Sequence, residues 1–184
     1  MICMKGVNIL SVIVVCFVIF VSGCVSQTSK QVYENTDLSL KLEYPDGWEY
    51  SESGDSSFFR VHFSSLDEDN RNIVFSVSIM DLNVHTSVPK EFDAFVVNME
   101  NNIYVINNYD LEMIENGETT VDGFRAHKFD YNITEHETTS RHIDTVAVNG
   151  DTGYIFTAVI KEEYYSDYEK EIDDFVNSIE ILED

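Results

Sequence analysis

Read for polarity alone, the chain divides into three stretches. Val7 to Val21 is an apolar run without a charged residue, Ser26 to about Asp37 is polar, and alternating segments begin at Leu38. Leu38, Leu40, Leu42 and Tyr44 alternate with polar residues at the period of a half-buried strand, which Pro45-Asp46-Gly47 then ends. Phe59 to Phe63 and Ile73 to Met80 read as a hairpin across the polar Ser64–Asn72 loop. The period then changes. Phe92, Phe95, Val96, Met99 and Ile103 lie on one helical stripe, with Ser87 as the expected cap and Pro89 in the first turn. Strands resume at Tyr109–Glu115, Phe124–Tyr131, Arg141–Val148 and Tyr154–Ile160, with Asn149-Gly150 as a hairpin signal between the last two. Tyr168, Ile172, Phe175, Val176 and Ile179 form the stripe of a closing helix, and Ser166 and Glu169 have capping-box spacing. The pattern predicts an α+β fold: a central antiparallel sheet of about six strands or more, covered by helices.

The first stretch predicts export. One cation, Lys5, precedes the apolar run, and Val21-Ser22-Gly23-Cys24 follows it. Charged start, short apolar segment and small-residue processing site make a secretory signal. The run falls short of the ~20 residues that cross a hydrocarbon core, which disfavours a permanent anchor helix. An aliphatic residue, two small residues and a cysteine resemble the lipobox of bacterial and archaeal lipoproteins. That resemblance implies removal of residues 1–23 and a diacylglyceryl group on Cys24, with the protein held at the outer face of the cytoplasmic membrane. Two acyl chains suffice for firm anchoring, at ~0.8 kcal/mol per buried CH₂. Residues 24–37 then serve as lipidated cysteine and polar tether, and 38–184 as a single domain.

Composition changes the picture in two ways. Cys3 and Cys16 lie in the signal and Cys24 is occupied, so the exported domain carries no disulfide and depends on its core. Without the signal, 10 Lys+Arg face 34 Asp+Glu, a net charge near −24. Such a surface repels nucleic acid and anionic headgroups, and it attracts cations or a basic partner.

Tyr44-Pro45-Asp46-Gly47-Trp48, then Val121-Asp122-Gly123-Phe124-Arg125-Ala126 running into Phe129-Asp130-Tyr131, and a final Phe175-Val176-Asn177-Ser178-Ile179 come in a set order. Over about residues 33–182 this series resembles the PsbP-like family, whose best-known member is an extrinsic subunit of photosystem II and which also includes lipoproteins of unassigned role. The resemblance implies a central antiparallel sheet sandwiched between helices and a non-enzymatic accessory or binding role. It does not carry over the photosynthetic role, because the docking extension and basic docking surface of that subunit are missing. Trp48 reads independently as a core plug at one end of the sheet.

No nucleophile elbow, phosphate loop or cofactor motif appears, so neither an enzyme nor a cofactor is expected. His62, His127, His136 and His142 are weak candidate metal ligands, since adjacent strands could join them, but no HExxH spacing occurs and His85 stands apart. Asp67 to Asn72 offers oxygen ligands yet fails the EF-hand pattern at Arg71. Asn132-Ile133-Thr134 is a weak glycosylation sequon. Two functions remain: an envelope-facing accessory module with a membrane or envelope protein partner, or a lipoprotein binding a cation or small ligand through its acidic and histidine residues.

Overall fold

A computed structural model describes residues 29–65, 73–106 and 110–182. The strands are β1 (Lys30–Asn35), β2 (Leu40–Pro45), β3 (Trp48–Gly54), β4 (Phe58–Ser65), β5 (Val74–Asp81), β6 (Asp110–Val121), β7 (Phe124–Glu135), β8 (Thr138–Asn149), β9 (Thr152–Lys161) and β10 (Glu180–Ile181). Helix α1 spans Phe92–Ile106 and α2 spans Tyr165–Asn177. Seven strands form one antiparallel sheet in the order β3-β4-β5-β9-β8-β7-β6, and β1-β2-β10 form a small second sheet.

The large sheet buries both faces, and each strand splits its side chains between them. Val61, Phe63, Phe75, Val77, Ile143, Ala147, Phe156 and Ala158 point to one side, where α2 and the small sheet cover them. Phe129, Tyr131 and Val146 point to the other, where Phe95 and Ile103 of α1 meet them. The order is therefore α1, seven-stranded sheet, then α2 with the small sheet. Aromatic stacking joins the layers on the α2 side. Trp48 stacks on Phe75 (4.9 Å between centroids), and Phe75 stacks on Phe175 of α2 at 4.3 Å and 8°. Such pairs contribute about 0.5–1.5 kcal/mol each beyond their buried area. Trp48, half-buried, thus packs on the core at one end of the sheet, as its sequence position suggested. On the α1 side Gly153 permits close approach, since a Cβ there would stand 3.1 Å from Phe95 Cε2.

The structure departs from the sequence pattern at five local points. The tether read through Asp37 is, from Lys30 onward, part of the fold: β1 pairs with β2 from Lys30↔Pro45 to Asn35↔Leu40. Its polar appearance arises because only Tyr33 points fully inward. β3 was not legible, because it is an edge strand with every residue after Trp48 exposed. Helix α1 begins at Phe92 rather than beside Ser87, because turns use the preceding backbone (Val84 N–H and His85 N–H to Asp81 O, Val88 N–H to His85 O). A 3₁₀ turn, Glu162–Tyr164, runs directly into α2, so Ser166 lies inside the helix and does not cap it. The β8–β9 loop is Gly150-Asp151, one residue later than the Asn-Gly signal, with Gly150 at φ +59°.

Candidate functional site

Alternation places a polar patch on the α1 side of the large sheet, beyond the helix. Paired positions share a face. His62↔Ser76, Ser76↔Thr157 and Thr157↔Asp144 form one row, and Val74↔Val159, Val159↔His142 and His142↔Tyr131 form the next. Arg60 and Ser78 extend the patch, linked by an Arg60 Nε–H to Ser78 Oγ bond of 2.9 Å. Asp144 is the one carboxylate among these residues, and it is buried.

Asp144 is held by two hydroxyl donors. Tyr131 Oη–H donates to Oδ2 at 2.8 Å, and Thr157 Oγ1–H donates to Oδ1 at 2.6 Å. Burial pushes the carboxyl above its usual range, while the two hydroxyls and His142 oppose the shift. His142 stacks on Tyr131 (5.3 Å, 15°), and desolvation lowers its pKa. His142 Nε2 lies 3.0 Å from Ser140 Oγ, which is nucleophile–base distance. Within this trio Asp144 receives its hydrogen bonds from Tyr131 and Thr157, His142 lies beside Ser140, and the β7, β8 and β9 backbones are engaged in strand pairing. The geometry supplies an ordered polar network with no preorganised oxyanion donors on these strands.

A second network lies on the α2 side. Asp130, 2% exposed, accepts two bonds from Arg141, Nε at 2.8 Å and Nη2 at 2.9 Å. The Arg141 guanidinium lies 3.6 Å from the centroid of the Tyr165 ring, and its pKa is raised chiefly by Asp130. Removing one partner of such a buried pair costs about 3–5 kcal/mol, because the other charge is stranded. Beside it runs a groove of about 240 Å³, lined in part by Glu115, Lys128, Thr145, Tyr165 and Asp173. Lys128 is tied to Glu115 at 2.7 Å.

The candidate histidines do not converge. His62 and His142 share a face but stand three strand spacings apart, roughly 14 Å. His127 lies four residues from Tyr131 along β7, with Nε2 at 2.6 Å from Asn116 Oδ1. His136 sits exposed in the β7–β8 turn, and His85 Nε2 is 3.1 Å from Ser57 O. Among the described residues, no group of three or more His, Cys, Asp or Glu could hold a metal. Asn132 is in a paired strand, opposite Arg141 and Glu112, with Oδ1 buried and without a hydrogen-bond partner. Cys24 and the Asp67–Asn72 loop lie outside the described residues. Sequence reasoning missed Asp130 and Asp144; the available signal was a carboxylate inside a strand pattern, between aromatic residues in Phe129-Asp130-Tyr131 and between β-branched residues in Ile143-Asp144-Thr145.

The PsbP family profile matches residues 28–181. The chain belongs to the PsbP family. The solution structure of cyanobacterial PsbP from Synechocystis sp. PCC 6803 is similar at a TM-score of 0.63 and 19% identity, covering 87% of this chain and 96% of that one. A crystal structure from Bacteroides thetaiotaomicron matches at 0.58 and 13% identity, over 85% of this chain and 50% of that chain. A Pseudomonas aeruginosa protein of unknown function matches at 0.52 and 14% identity, over 77% and 89%. At these identities the likeness concerns the fold alone. No curated protein shows significant similarity to this sequence. The seven-stranded sheet with a helix on each face and a small second sheet is a PsbP-like α+β fold.

Proposed function

We propose that this PsbP-family chain is a non-enzymatic accessory module, held at the outer face of the cytoplasmic membrane by a lipid on Cys24, that binds a protein of the membrane or envelope. The observation that carries the reading is that Asp130 and Asp144, the two carboxylate residues buried among the described residues, are each held by partners within the fold. Asp130 is clamped by Arg141 and Asp144 by Tyr131 and Thr157, so these networks support the fold. Two surface features favour a protein partner. Lys30, Lys41, Lys90, Arg125, Lys128, Arg141 and Lys170 each pair with a carboxylate of the domain itself, which leaves the acidic excess to face outward. On α1, Val97, Tyr104 and Val105 are 55%, 52% and 77% exposed, an apolar stripe on the outer side of the helix.

Carboxylate-to-amine coupling in intact membranes tests this reading, because the abundant acids would join lysines of a bound partner at contact distance. The expected result is one recurrent adduct, diminished when coupling is done at high salt. Diffuse adducts that vary between preparations would contradict it.

A further inference from the structure

The first described residue is fastened to one end of the fold. Ser29 O accepts from Asp46 N–H at 2.9 Å, Ser29 Oγ–H donates to Asp46 Oδ2 at 2.8 Å, and Gln31 Nε2–H donates to Asp46 Oδ1 at 2.8 Å. These bonds hold the Asp46 carboxyl below its usual range, so the fastening is charge-assisted at neutral pH. The Pro45–Gly47 turn leads straight into Trp48, at one edge of the large sheet. Strand register defines that edge: Trp48↔Ser65, Ser64↔Val74, Ser140↔Lys161 and Glu135↔Thr138. The Glu162–Tyr164 and His136-Glu137 turns share it. The Asp55–Ser57, Gly150-Asp151 and Asp122-Gly123 turns form the opposite edge.

We infer that the edge bearing the Pro45–Gly47 turn faces the lipid surface and that the opposite edge points away from it. The inference rests on the anchor at Cys24 proposed above. Five peptide steps separate Cys24 from Ser29. Fully extended, they span at most about 18 Å. A tether running to Asp37, as the polar pattern suggested, would reach about 45 Å and leave the domain free to tumble. The strands of the large sheet run away from this edge, and the ten residues of β9 alone cover about 30 Å. The far edge cannot come down to the membrane while Ser29 stays within its leash, unless the domain lies flat. Its acidity opposes flat contact with anionic headgroups.

The test uses the full lipidated chain in phosphatidylcholine–phosphatidylglycerol vesicles whose headgroups carry a nitroxide quencher. One fluorophore is attached through Glu49→Cys, beside the fastened turn, or through Ser56→Cys, at the opposite edge; both sites are exposed. Quenching is expected to be several-fold stronger at position 49 than at 56. Inserting a Gly/Ser segment of about 20 residues after Gln27 should bring the ratio toward one, since its mean span is roughly 25 Å. Equal or reversed quenching on protein whose mass shows the lipid would overturn the orientation and leave the anchor standing. A mass without lipid, or protein that fails to float with the vesicles, would overturn both.

Discussion

Asp144 carries the clearest single-residue consequence. Its carboxyl titrates above its unfolded value of about 3.9, because burial disfavours the charge more than Tyr131 and Thr157 favour it. Above that value the native state binds more protons than the unfolded chain, so this residue's contribution to stability falls as pH rises. The loss begins near pH 4 and is complete only above the raised native value. Asp144→Asn removes the titration and keeps the shape. Urea unfolding of both proteins should therefore show the stability gap moving in favour of the variant from pH 4 to pH 7. Repulsion among surface carboxylates is common to both and cancels in the difference. A gap constant with pH would show that Asp144 titrates alike in folded and unfolded chains.

At the level of elements, the β7–β8 hairpin stores strain. Both loop residues, His136 at φ +47° and Glu137 at +73°, occupy the left-handed region where a type I′ turn ordinarily has Asn or Gly. Replacing Glu137 with Gly should stabilise the domain by about 1 kcal/mol. Thermal unfolding should then shift up by about 2–4 °C; an unchanged or lower midpoint would contradict the strain. Elements with a strong inside–outside contrast were legible in the sequence: β2, β4, β5, β7, β8 and β9 follow from alternation, and α1 and α2 from their apolar stripes. β1 and β3 were not, because each is an edge strand with few inward side chains, and their pairing is backbone hydrogen bonding that any polar sequence can supply. The site followed the same rule. The histidines could be read from residue type, but their separation depended on strand order, and the pairing of Asp130 with Arg141 depended on register.

For the whole molecule, fold, charge and the proposed anchor combine into one arrangement. A PsbP-family domain without a disulfide is held by two apolar layers on either side of one sheet. Its cations are largely spent on internal pairs, so the outward surface is acidic, which complements the basic face expected of the proposed partner. Under the proposed lipidation of Cys24, the five peptide steps to the fastened Ser29 would make that anchor the reference point for every surface the domain presents. The most direct measurement is the intact mass of the protein extracted with detergent from its own cell membranes. The account requires a chain beginning at Cys24 that carries a diacylglyceryl group. An unmodified Cys24 with residues 1–23 still attached would contradict it.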